Sequence, residues 1–344
     1  MRVHRRHLLR LLPAAAVSLP SFTPLPAARA RRQPAALLLP LTGPQASLGI
    51  SMQRAATLVQ PVAGKDVDLL VFDTGGTAQG AGLAAARAVK AGALMILGPV
   101  FGAEVRAAVV AAGRVPVLCF SNDEALRDSG AFLLGVTASQ STAAILGYAR
   151  RRGVRRIAML RSATPWGVQS AAAVARLQGE LGVALLPVAS AEPAALRAAG
   201  GGALPAALFV ADGAASFAAA ARQVQGSDVQ LLGTLQALES AAAMPAGAQG
   251  AWIAAPDPTA FADFARTYEE RNGTPPGAIA ALAYDGANIA KTLRTAARLD
   301  RAGLLQAQGF PGVAGAVRFR EDGSASRELA ILVADASGYI AVPT

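Results

Sequence analysis

The chain has 344 residues, is 53% hydrophobic and 5% aromatic, and carries a formal charge of +10. That length is enough for two α/β lobes with separate cores. The only histidines, His4 and His7, lie near the N-terminus, and Cys119 is the only cysteine, so the rest of the chain lacks the groups for Ser-His-Asp or Cys-His nucleophile activation and for the usual zinc sites.

Residues 1–30 read as an export leader. Arg2, Arg5, Arg6, Arg10 and Arg29 occur there with no acid, and they supply half of the net charge. Arg5-Arg6-His7-Leu8-Leu9 feeds an apolar run from Leu11 to Leu19 that is too short to cross a bilayer. Ala28-Arg29-Ala30 fits a small-x-small cleavage pattern, which predicts processing after about Ala30 and a periplasmic location. The paired arginines suit a twin-arginine signal as well as a general secretory one. No cysteine stands near the cleavage site, so a lipid anchor is not expected. No later stretch has the length and apolarity of a membrane span.

Beyond the leader, strand-like and helix-like stretches alternate. Ala35 to Leu39 is a continuous apolar run, as in a strand buried on both faces. Ser47 to Gln60 reads as a helix, Val67 to Phe72 as a strand and Ala78 to Ala91 as a helix. Ala93 to Leu97 is the third strand, followed after Gly98-Pro99 by a helix ending near Gly113. Val115 to Phe120 is the fourth strand, and places Cys119 in the core as a small hydrophobe. A second series follows. Arg156 to Leu160 is a strand and Pro165 to Leu181 a helix. Leu204 to Ala211, Val229 to Gly233 and Trp252 to Ala255 are strands, with an Ala-rich helix from Ala214 to Gln225. Helices are predicted over Thr259 to Asn272 and Gly277 to Leu299, and a β tail from Val313, with strands at Val317–Phe319 and Leu329–Val333. This βαβα rhythm predicts an α/β protein of two doubly wound parallel-sheet lobes.

In such sheets ligands meet the loops at the carboxyl ends of strands, where helix N-termini offer N–H groups. Here those loops are Thr42 to Ser47, Asp73 to Thr77, Gly98 to Gly102, Ser121 to Asp123, Ser162 to Gly167 and Asp212 to Ala214. Their glycines and hydroxyls suit close approach by an anionic group, and equally suit helix capping. There is no phosphate-binding loop and no Ser-x-x-Lys, and the glycines at 75, 76, 80 and 82 lack dinucleotide spacing. The basic run Arg150 to Arg156 lacks interleaved aromatics, which favours a solvated helix end over a nucleic-acid patch. The expectation is a binder with no cofactor and no metal, not an enzyme.

Several motifs then occur in a family order. Leu39-Pro40-Leu41-Thr42-Gly43-Pro44, Asp73, Gly98-Pro99, Trp166-Gly167, Ala283-Tyr284-Asp285 and Phe310-Pro311-Gly312-Val313-Ala314-Gly315 resemble the type I periplasmic binding proteins of the leucine/isoleucine/valine-binding group. The resemblance covers residues 35–344. It implies lobe one from 35–137 plus 256–312, lobe two from 138–255 plus 313–344, and hinges that let a ligand close the lobes. It also implies a small solute, an amino acid or similar, and an ABC transporter permease as partner. An α-amino acid needs donors for its carboxylate and an acid for its ammonium. On that implication the candidate donors are Thr42, Ser47, Ser121 and Asn122, the candidate acids are Asp123, Asp212 and Asp285, and Phe101, Trp166 and Tyr284 are candidate walls. One departure stands out. The crossing segment Phe132 to Thr137 has no arginine, where amino-acid binders carry Arg-Thr, and the Phe120-Ser121-Asn122-Asp123 loop is similar to the penicillin-binding protein activator branch. That branch implies a bifunctional penicillin-binding protein as the alternative partner.

Overall fold

The computed structural model describes residues 34–60, 68–238, 245–277, 279–335 and 338–343. The expected leader, with its histidines and cleavage site, lies outside the described residues.

The first sheet is wholly parallel. Its strands are β1 (Ala35–Leu39), β2 (Leu69–Asp73), β3 (Met95–Leu97), β4 (Val117–Cys119) and β5 (Ala131–Leu133), in the spatial order β2-β1-β3-β4-β5. All five residues of β1 are buried, as its unbroken apolar sequence demands of a central parallel strand. Helices cover both faces. On one side α2 (Ala78–Lys90) and α3 (Gly102–Ala112) present alanines and Val105 to the sheet. On the other lie α1 (Ala46–Thr57) and, from much later in the chain, α9 (Ala280–Thr295), which bury Met52, Ala283, Ala287 and Leu293 with Leu37, Leu97 and Phe120. Such small side chains let the helices sit close to the sheet, so bulk comes from the strands.

The second sheet has seven strands in the order β14-β13-β10-β9-β8-β6-β7. β6 (Arg156–Leu160), β7 (Ala184–Val188), β8 (Ala207–Val210), β9 (Gln230–Thr234) and β10 (Trp252–Ala255) are mutually parallel. β13 (Ala330–Asp335) joins β10 antiparallel, and β14 (Gly338–Val342) pairs antiparallel with β13. The helices of this lobe are α4 (Ala138–Arg151), α5 (Pro165–Leu181), α6 (Pro193–Ala199) and α7 (Ala214–Val224). The short hairpin of β11 (Val317–Phe319) and β12 (Ala325–Arg327) was expected with the second lobe. It packs instead on the first: Val317, Phe319 and Ala325 enter the first core, and Phe319 meets Phe132 edge-on at 5.6 Å. Large apolar side chains on alternate positions of β11 have no other core within reach.

The chain passes between the lobes three times: through Leu134–Thr137 after β5, after β10 into α8 (Pro258–Asn272), and through Glu328–Leu329 after β12. α8 returns to the first lobe, where Phe264 and Tyr268 pack with Ala55 of α1 and Ala280 and Ala281 of α9. Gly135 in the first crossing is required by close approach. A Cβ there would stand 2.4 Å from the Ser121 carbonyl oxygen and 2.7 Å from the Asn122 nitrogen, both backbone atoms.

Candidate functional site

The topology fixes where the two rows of strand-end loops lie. β5 runs at its carboxyl end into the first crossing, and β10 at its carboxyl end into the second. Both carboxyl edges therefore adjoin the crossings, which is where a doubly wound sheet binds ligands.

On the first lip, Asp73 at the end of β2 organises its neighbours. One carboxylate oxygen accepts from the amides of Leu41 (2.8 Å), Thr42 (3.2 Å) and Gly75 (2.8 Å), and the other from the Thr42 hydroxyl (2.6 Å). Burial pushes the Asp73 carboxyl upward, but these four bonds outweigh it and hold it below the usual range. Thr42 is thus committed to the loop. Ser121 is buried and accepts from the Asp123 amide at 3.2 Å, and Asp123 in turn accepts from Ala125 N–H at 3.0 Å. Phe101 is half-buried against the first core. Ser47 and Asn122 are exposed, and among the described residues their side chains make no hydrogen bond.

On the second lip, one oxygen of Asp212 accepts from the hydroxyls of Ser162 and Thr164, the latter at 2.7 Å. Thr164 also caps α5, accepting from Gly167 N–H at 3.0 Å. Trp166, half-buried, donates its indole N–H to Thr234 (3.2 Å), which donates to the Ala211 carbonyl (3.0 Å). The indole is therefore anchored at the ends of β8 and β9.

Eight of the ten residues singled out from sequence lie on these two lips. Tyr284 and Asp285 do not. They sit on α9 beside a separate cavity of about 360 Å³ lined also by Asn288, Phe310 and Gly312. Tyr284 stacks obliquely on Phe264 at 5.0 Å. Asp285 is buried and accepts from the amides of Val313 (2.8 Å) and Ala314 (3.0 Å); a Cβ on Gly312 would stand 2.6 Å from its carboxylate. Burial raises its carboxyl to about 6, against the pull of the two amides and of Arg327. Asp285 therefore secures a loop.

Arg327, at the third crossing, carries no motif signal, yet it is central. Its guanidinium donates to the carbonyls of Ala314 and Gly315, each at 3.0 Å, and to Leu134 in the first crossing at 2.5 Å. The first crossing has no arginine of its own, and one reaches it from elsewhere in the chain. Burial lowers the Arg327 group to about 10. A second tie spans the lobes beside Ser121. Glu124 accepts from the Ser139 amide (3.1 Å) and hydroxyl (2.7 Å) at the start of α4, and Arg176 of α5 donates to that hydroxyl at 2.7 Å. Neither residue belongs to a recognisable motif, because each acts through tertiary proximity. Among the described residues no three of His, Cys, Asp and Glu are grouped as a metal site, and no helix is long and apolar enough to cross a membrane.

Two lobes joined by three crossings, with the strand-end loops of each beside those crossings, define a bilobal α/β fold. The family model for periplasmic binding proteins matches residues 33–339, and the chain belongs to that family. Among solved structures it is similar to a protein of Rhodospirillum rubrum described as a branched-chain amino acid ABC transporter (TM-score 0.78, 21% identity, 90% of this chain and 99% of that one). It is also similar to the C-domain of LpoA from Haemophilus influenzae, a regulator of PBP1A (0.72, 16%, 90% and 100%). A third is the leucine binding protein LivK of Thermotoga maritima (0.59, 21%, 90% and 98%). No curated protein matches the chain.

Proposed function

We propose that the protein is an exported solute receptor of an ABC transporter, holding an amino acid or a similar small zwitterion between its lobes. The observation that carries this reading is a helix start without a side-chain cap on each lip. α1 opens the first lip and α7 the second, and neither has a side-chain cap on its first turn; α3 and α6 also lack one, whereas α2, α4 and α5 are capped by Thr77, Thr137 and Thr164. First-turn N–H groups with a partial positive charge suit a carboxylate. Ser47 lies in the first turn of α1 as a further donor, and Asn122 is exposed on the same lip beyond β4. The Asp212 oxygen not engaged by Ser162 and Thr164 suits an ammonium group. Phe101 and Trp166 furnish apolar walls.

Thermal unfolding of the mature protein against an amino-acid panel tests this. Millimolar ligand above a micromolar Kd adds about 4 kcal/mol of stability. No shift with any amino acid at millimolar concentration would falsify the reading.

One observation favours a second reading, a regulator of peptidoglycan synthases. The first crossing lacks the arginine expected of an amino-acid binder, and its Leu134 carbonyl is occupied by Arg327. Binding of the purified protein to a bifunctional penicillin-binding protein, with no response to amino acids, would support it.

A further inference from the structure

The α2–α3 face of the first lobe has a composition that ligand binding at the lips does not use. Among the described residues eight large hydrophobics are exposed, and four of them, Leu83, Val89, Leu94 and Val110, fall between residues 83 and 110. Val110 is 84% and Leu83 57% exposed. The two helices touch where Gly82 meets Ala107, so their outer surfaces form one layer. Leu83, Arg87 and Lys90 follow one another along the exposed face of α2. Arg106 and Val110 do so along α3.

The charge on this layer has one sign. From Thr74 to Asn122 the only acid is Glu104, which is buried, while Arg87, Lys90, Arg106 and Arg114 are all exposed. Arg106 donates to the Ala125 carbonyl at 3.1 Å. Arg87, Lys90 and Arg114 make no side-chain hydrogen bond or ion pair among the described residues. Asp123 and Glu124, just beyond this stretch, are engaged with Ala125, Ser139 and Arg127, and Asp68 at the amino edge of the sheet lies 3.5 Å from Arg294. Lys90, Leu94 and Arg114 gather at the amino edge of the sheet, away from the lips, and the Leu94 amide donates there to Pro34. Arg31 and Arg32 precede Pro34 in the sequence.

Protruding aliphatic side chains among unpaired cations, on a layer of two side-by-side helices, complement an anionic and partly apolar surface. A second copy of the chain would set these cations against themselves. We propose that this face docks the first lobe on an anionic phospholipid bilayer, with Arg87, Lys90 and Arg114 at the headgroups and Leu83 and Val110 at the acyl boundary.

Cosedimentation with vesicles of phosphatidylglycerol and phosphatidylethanolamine, against vesicles of phosphatidylcholine alone, tests this with the full chain. Binding is expected only to the first set, and should weaken as salt rises. Arg87→Glu with Lys90→Glu should weaken it about tenfold or more. Leu83→Ser with Val110→Ser should weaken it several-fold at unchanged charge. Arg197→Glu with Arg222→Glu makes the same charge change on exposed positions of the second lobe and should leave binding close to wild type. Absence of phosphatidylglycerol-dependent binding overturns the proposal, as would an acidic protein being its only anionic partner. Equal loss in both reversal pairs also overturns it, because net charge and not this face would then be responsible.

Discussion

Replacing Arg327 by Met keeps most of its volume and removes a buried cation. Three carbonyls, those of Leu134, Ala314 and Gly315, lose their donor, and Asp285 loses the cation that faces it through the 313–315 loop. Breaking one side of a buried charge arrangement costs about 3–5 kcal/mol, and charge-assisted hydrogen bonds of this kind are worth roughly 1.5–3 kcal/mol each, without adding fully. A loss of about 3–5 kcal/mol is expected in urea unfolding at neutral pH. The pH dependence should change as well. In the native protein burial raises the Asp285 carboxyl from 3.8 to about 6, so the folded state binds a proton more readily than the unfolded one. This contribution to stability is present in full below about 4 and is lost as pH rises through about 6. Without Arg327 the native titration should move upward, because nothing then favours the carboxylate except two amides. Midpoints measured between pH 4.5 and 8 report both effects. A loss below about 1 kcal/mol, or an unchanged pH profile, would refute the account of Arg327 as the cation linking two crossings.

Asp73→Ala should cost about 1–3 kcal/mol, since it leaves the amides of Leu41, Thr42 and Gly75 to water. Its native carboxyl is lowered, so this stability is present above 3.8 and disappears as pH falls through the native value, which denaturation at pH 3 and pH 6 would separate. Gly135→Ala should lose about 1–3 kcal/mol, because its Cβ meets immovable backbone of Ser121 and Asn122. The Cys119 thiol, fully buried and pushed by burial to about 12, should resist a maleimide in the native protein and react promptly in urea. Glu124→Ala should enlarge the radius of gyration seen by small-angle scattering, by releasing Ser139 and Arg176 from the first lobe.

The elements that sequence exposed were those with a strong local pattern. β1 and β10 lie where their unbroken apolar runs put them, and α5 ends at Gly182 in the left-handed conformation that stops a helix. β7 carried no clear signal because it is an edge strand, half exposed and interrupted by Pro187. β14, also a half-exposed edge strand, carries no clear pattern either. The helix expected from 277 to 299 ends at Thr295, and a short α10 (Arg301–Leu304), capped by Asp300, follows it. Of the site, the loops could be named, because strand ends and small polar residues mark them. Which side chains were already committed could not. Thr42 and Asp73, or Asp212 and Ser162, are more than thirty residues apart, and their pairing is a tertiary fact. Tyr284 and Asp285 carry only a motif resemblance in sequence, and the buried loop at 313–314 reveals what the carboxylate does.

The antiparallel strand β13 has a consequence for how the molecule is made. It covers β10, and it comes from the last fifteen residues of the chain, after the polypeptide has gone back to build α8, α9 and the hairpin of the other lobe. Until those residues leave the ribosome, β10 presents an unpaired edge. Neither half can reach its final form until its later segment has been made, since the first lobe joins β1–β5 to α8–β12 and the second joins α4–β10 to β13 and β14. Such interleaving delays compaction, which leaves time for handling by chaperones or a translocation machinery. Removing the terminal fifteen residues should accordingly yield a chain that associates through β10, although most of its hydrophobic interior would still be encoded.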